Sequence, residues 1–181
     1  IESLIGNNAL TLLTEELTSV KVEGDIFGNE KDSAVFMWSE PNAKLIVEGN
    51  ITARDCQSAI EIYGLSGEMD SLREIPAITV KTLNVESGDY FKALTHDENG
   101  EEIESKALAE AAAKATWYIV DISQPTNGEI EVDGISTKEG LLVAHEGDKL
   151  TVTGAPKKGY RLTGIDAGSK ALVTENEDGT Y

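Results

Sequence analysis

The side chains most able to do chemistry in this sequence are Phe36 and Trp38 in one segment and Glu61 and Tyr63 in another, with 25 residues between partners (36 to 61, 38 to 63). Aromatic faces beside a carboxylate suit a ligand with an apolar face and a hydrogen-bonding rim, a description that fits a sugar ring. The same rings could instead be a docking surface for a neighbouring segment. The Ala-rich stretch Glu104 to Ala115 is the segment of this chain suited to cover them.

Other combinations favour their structural readings. His96-Asp97-Glu98-Asn99-Gly100 places Gly at the fourth position when Asp97 is the first, where a calcium hand needs it at the sixth; it reads as a hairpin turn. His145 stands beside Glu146 and Asp148, and His96 is the only other histidine, so a histidine metal site has little to build on. Cys56 lies in a polar turn near Arg54 with no histidine base in its own segment, and no Gly-x-Ser-x-Gly elbow occurs. Gly164-Ile165-Asp166-Ala167-Gly168 lacks the Lys of a phosphate loop. Carboxylates are abundant throughout, so no particular pair stands out as a glycosidase dyad. The expectation is a protein without catalytic residues, metal or cofactor.

The pairs that matter must be positioned by the elements around them, and those elements repeat. Val20 to Ile26, Leu45 to Ile51 and Ile78 to Val85 are alternating apolar and polar segments, each followed by a polar turn and then by Ala34-Val35, Ala59-Ile60 or Ala93-Leu94. The first two copies are offset by 25 residues (26 to 51, 34 to 59) and the third by 34 (51 to 85), the surplus falling between Leu65 and Pro76. Strand-like alternation at a fixed period signals stacked β rungs. Val20, Val22, Gly24 and Ile26 share the inward face with Leu45, Val47, Gly49 and Ile51, and the third rung needs a bulge near Leu83. In the shorter strands Val35, Met37, Ile60, Ile62 and Leu94 point in, which turns Phe36, Trp38, Glu61 and Tyr63 outward, Tyr63 over Trp38 and Glu61 over Phe36. Two strands and two turns in 25 residues suit a short right-handed parallel β-solenoid over residues 1–100.

Open ends of a stack invite pairing with other chains unless covered. Ile1 to Leu17, with Leu4, Ile5, Leu10, Leu12, Leu13 and Leu17, suits a cap or irregular first rung. Residues 101–116 form the second cap and linker, a helix over Glu104 to Ala115 with acids early and Lys late.

Composition limits the partners. There are 33 acidic and 15 basic residues, for a formal net charge of −18, which repels phosphate backbones and anionic headgroups and argues against nucleic acid or bare membrane. The single cysteine allows no internal disulfide. No run of eighteen apolar residues spans a bilayer and no signal peptide opens the sequence, so direct membrane insertion by this segment is not expected. A start at Ile1 without Met suggests a piece of a longer chain.

From Trp117 short strands punctuated by Gly take over. Trp117 to Ile122 and Glu129 to Asp133 alternate about the turn Pro125-Thr126-Asn127-Gly128 and predict a hairpin. The run Gln124-Pro125-Thr126-Asn127-Gly128-Glu129-Ile130-Glu131-Val132, then Glu146-Gly147-Asp148-Lys149-Leu150-Thr151-Val152-Thr153, Pro156-Lys157-Lys158-Gly159-Tyr160-Arg161-Leu162 and Asp178-Gly179-Thr180-Tyr181 resembles the divergent internalin-type B-repeat of bacterial surface proteins. The resemblance implies that residues 117–181 are a small β-grasp-like module, extracellular and without catalytic residues. It departs from the family at its end, where members continue into a closing strand. Residues 1–100 are similar, less sharply, to repeats of adhesin-like proteins. Together they imply a mainly β, extracellular segment of a bacterial surface protein, structural or adhesive, with glycans or host and cell-surface proteins as partners. The alternative is a carbohydrate-binding module built on Trp38, Tyr63, Phe36 and Glu61.

Overall fold

A computed structural model describes residues 3–6, 8–13, 19–30, 32–38, 43–65 and 75–166. The chain divides into two compact units, Ile1–Ile119 and Val120–Tyr181.

In the first unit the elements are β1 (Ser3–Gly6), β2 (Leu10–Leu12), β3 (Ser19–Val22), β4 (Asp25–Gly28), β5 (Ser33–Trp38), β6 (Lys44–Ala53), β7 (Ser58–Leu65), β8 (Ala77–Val85), β9 (Asp89–His96), β10 (Glu102–Glu104), α1 (Lys106–Ala115) and β11 (Trp117–Ile119). They build two sheets. The first runs β1-β4-β6-β8-β11, with β3 also on β6, and the second runs β10-β9-β7-β5-β2. Alternation puts Val22, Ile26, Val47 and Ile51 of the first sheet, and Val35, Met37, Ile60 and Ile62 of the second, into one core where each is fully shielded from solvent. Burying each such side chain contributes about 1.5 to 3 kcal/mol.

Pairing between the first two repeats keeps the 25-residue offset: Ile26 stands beside Ile51, Val35 beside Ile60 and Trp38 beside Tyr63, all in parallel. Leu4 of β1 pairs with Ile26 and Leu10 of β2 with Val35, so the start of the chain adds strands to both sheets. Leu17 lies outside the described residues.

The solenoid expectation is overturned. The strands distribute over several separate sheets, parallel and antiparallel pairing are mixed, and the rungs do not close into a solenoid. The reason is that the repetition runs out. After β9 the chain reverses at Asp97 to Gly100 and returns as β10, antiparallel to β9. The third repeat is also set differently from its alignment. Phe91, not Leu94, faces Ile60, and Leu83, not Val85, faces Ile51. Ala93, not Leu94, joins the core cluster, and the large Phe91 ring joins it too. The irregularity expected near Leu83 sits in the neighbouring strand, between Val47 and Asn50 of β6. At the same place the backbones approach closely. A Cβ on Gly49 would run into the Gly24 carbonyl and lie 2.6 Å from an Asp25 carboxylate oxygen, and that carboxylate accepts the Asn50 amide at 2.6 Å.

Helix α1 starts later than its composition suggests, because Glu102 to Glu104 are consumed as β10 and no acid remains in the first turn. The Ser105 hydroxyl accepts the Leu108 amide at 3.4 Å as N-cap, and Thr116 closes the helix, its hydroxyl donating to the Ala112 carbonyl at 2.9 Å. Leu108 and Ala112 turn into the core cluster beside Phe91 and Ala93.

The second unit holds β12 (Gly128–Asp133), β13 (Ser136–Lys138), β14 (Leu141–His145) and β15 (Thr151–Pro156). Strand β12 pairs antiparallel with β15, bracketing the β13–β14 hairpin. The hairpin expected between Trp117 to Ile122 and Glu129 to Asp133 does not form, since β11 lies in parallel on β8. The β-grasp expectation is corrected as well: the described residues of this unit make two separate antiparallel pairs and contain no helix.

Candidate ligand-binding site

The outer face of the second sheet gathers the chemistry. Parallel in-register pairing of β5 with β7 sets Phe36 beside Glu61 and Trp38 beside Tyr63. Residues two apart on a strand project to the same side, so all four share the face opposite Val35, Met37, Ile60 and Ile62. The Trp38 and Tyr63 rings meet at 4.7 Å between centroids and 52° between planes, and Phe36 meets Tyr63 at 6.0 Å and 32°. These are the tilted contacts that ring quadrupoles prefer over a flat sandwich. Trp38 is 40% exposed.

The next strand extends the row. His96, at the end of β9, turns edge-on to Tyr63 at 5.9 Å. Strand β10 sets Glu102 beside His96, and the Tyr63 hydroxyl donates to the Glu102 carboxylate, which holds the phenol proton and pushes its pKa up. The loop that delivers Glu102 is organised by Asp97. Its carboxylate accepts the Asn99 and Glu101 amides at 2.9 and 2.8 Å, and these backbone donors, that of Glu101 foremost, draw its pKa down. The segment is the hairpin turn that its sequence indicated.

Beside the rings lies a polar network. The Ser33 hydroxyl donates to a Glu61 carboxylate oxygen at 2.8 Å and shares a hydrogen bond of 2.9 Å with the Ser58 hydroxyl. The Lys92 ammonium stands 3.6 Å from the same Glu61 oxygen and donates to the Gln57 side-chain carbonyl at 2.9 Å. The side chains of Glu61 and Lys92 are only 13% and 18% exposed. Partial burial makes this pair more sensitive to loss of a partner than an open surface pair. The carboxylate is therefore held at a fixed position next to Phe36.

The structure thus brings together Phe36, Trp38, Glu61 and Tyr63, and adds Ser33, Ser58, Lys92, His96 and Glu102. Ser33 and Ser58 repeat at the same 25-residue offset as the rings, a signal that was present in the sequence. Lys92, His96 and Glu102 need the true alignment of the third repeat, which no spacing announced. Helix α1 directs Leu108 and Ala112 into the core between the sheets, whereas the rings occupy the outer face.

The remaining candidates keep structural roles. Cys56 is buried, its thiol donates to the Arg54 carbonyl at 3.3 Å, and burial pushes the thiol pKa up, which opposes nucleophilic use. His145 and Asp148 close a turn, the His145 amide donating to the Asp148 carboxylate at 2.8 Å. Among the described residues no three His, Cys, Asp or Glu side chains are grouped to hold a metal ion, and no helix is long and apolar enough to cross a membrane.

No family model, curated protein or solved structure matches this chain.

Proposed function

We propose that this chain is a non-catalytic adhesive segment of a bacterial surface protein, and that it holds carbohydrate on the outer face of the second sheet. The observation that carries the reading is the Trp38–Tyr63 contact, partly open to solvent, next to a carboxylate and hydroxyls fixed by their own hydrogen bonds. An aromatic face takes up the C–H side of a pyranose, and preorganised acceptors such as Glu61 and Glu102 take up its hydroxyls with little ordering cost. The strongly acidic composition keeps phosphate-bearing and anionic surfaces away from this face. Placement outside the cell is supported by the B-repeat-like signatures from Gln124 onward. Cell-surface proteins of the host remain a second class of partner for the same aromatic face.

A glycan array with the recombinant chain tests the proposal. A reproducible set of hits that disappears in the Tyr63→Ala variant supports it. Absence of any hit, with rings whose removal lowers only the melting temperature, leaves a purely structural segment.

A further inference from the structure

We infer that the sugar held on this face carries a free amine, so that the ligand class is an amino sugar in its deacetylated, cationic form. The inference rests on the carbohydrate reading above and narrows it. Its basis is the charge balance around the rings. Glu61 stands beside Phe36 in register, and the Tyr63 hydroxyl is bonded to Glu102. Glu104 lies two residues beyond Glu102 on the same strand, hence on the same face of β10, and both are exposed.

Among the described residues, one ammonium is placed against these three carboxylates, that of Lys92, and it is already engaged by Glu61 and Gln57. The face therefore has a surplus of negative charge that a neutral sugar does not offset. The rings add to it, because the face of an aromatic ring attracts cations and Trp does so best. Tilts of 32° and 52° between the planes make the row uneven, so that it presents ring faces in more than one direction. A pyranose lying on Tyr63 and Trp38 with its ammonium toward Glu102 satisfies both the apolar and the charged part of the site. N-acetylation removes the charge and adds bulk at the same position. The net charge of −18 favours approach of such a cation and disfavours sialylated, sulfated or uronate-bearing glycans.

The test uses calorimetric titration of the full chain in low-salt neutral buffer with three probes: short glucosamine oligomers, the same oligomers fully N-acetylated, and glucose oligomers of equal length. The expected result is binding of the glucosamine oligomer about tenfold tighter than either neutral probe, the scale of one charge-assisted hydrogen bond. Glu102→Gln removes that preference, and Trp38→Ala weakens all three probes. Glu129→Gln, which removes the same charge from the second unit, serves as the control for bulk attraction between an acidic protein and a cationic polymer. Equal binding of the three probes overturns the amine inference while leaving the carbohydrate reading intact. Equal loss in Glu102→Gln and Glu129→Gln also overturns it, because the attraction is then unspecific. Binding of none of these probes removes the inference, and the array described above then decides separately whether any sugar is held.

Discussion

The indole of Trp38 packs on the phenol of Tyr63 at 4.7 Å between centroids although the two residues are 25 positions apart. The contact is a direct consequence of a parallel ladder in register, in which each position meets its equivalent one repeat later. The same ladder sets Ser33 against Ser58 and Phe36 against Glu61, so a single repeat length organises a buried hydroxyl pair, a ring pair and a ring-carboxylate pair. Strands buried on their opposite side give the outer face a rigid support.

The core predicts its own sensitivity. Val47 is fully buried between neighbours on both sides, and Val47→Asp puts an unpaired charge there at a cost of roughly 4 kcal/mol. The adjacent Glu48 points outward and bridges to Lys21 at 2.9 Å on the exposed side. Glu48→Lys is expected to lower the melting temperature only slightly. Thermal melts of the two variants check the inward and outward assignment.

A second prediction concerns the crossing of backbones at Gly49. Gly49→Ala forces a Cβ toward the Gly24 carbonyl and the Asp25 carboxylate, displacing the Asn50 amide from its acceptor. Overpacking of this kind costs about 2 kcal/mol. Gly100→Ala is the informative comparison, since that position has φ of +80° but open space around it, so only backbone strain of about 1 kcal/mol applies. Urea denaturation of both variants is expected to rank Gly49→Ala as the more damaging.

Helix α1 contributes Leu108 and Ala112 to the core cluster. Leu108→Ala is expected to destabilise the first unit by about 3 kcal/mol and to raise amide exchange in β9 before β5 or β7. Exchange that rises first in β5 would place the helix contact elsewhere.

The first two repeats were legible in the sequence because parallel pairing preserves spacing, and four site residues followed from that spacing alone. The third repeat was not, because matching Ala93-Leu94 to Ala59-Ile60 looks correct by residue type while packing prefers the Phe91 ring opposite Ile60. Strand β10 carries Glu-Ile-Glu, exposed throughout, so neither burial nor a long alternation marks it, and the carboxylate it brings to Tyr63 was invisible. The partner of β11 was hidden for a related reason. Trp117 to Ile119 alternates like a hairpin arm, but alternation does not name its partner, and β11 pairs with β8.

Asp97 links pH to the site. Its pKa is depressed by the amides it caps, so the stabilisation it gives is present above the ordinary aspartate range and is lost as pH falls through the lower folded value. Lower protection of the Asn99 and Glu101 amides at acid pH, relative to their intrinsic exchange rates, is the expected signature. Asp97→Ala is expected to show the same loss of protection at neutral pH and to weaken ligand binding through Glu102, while the core melts normally.

The central claim is that the outward rings serve a ligand and not the fold. It is tested most directly by measuring glycan affinity and melting temperature together on Trp38→Ala and Tyr63→Ala. The account predicts loss of binding, with each removed ring contact worth about 1 kcal/mol or more to the ligand, and melting temperatures close to that of the parent. A large fall in melting temperature in both variants, with no glycan bound by the parent protein, would contradict it.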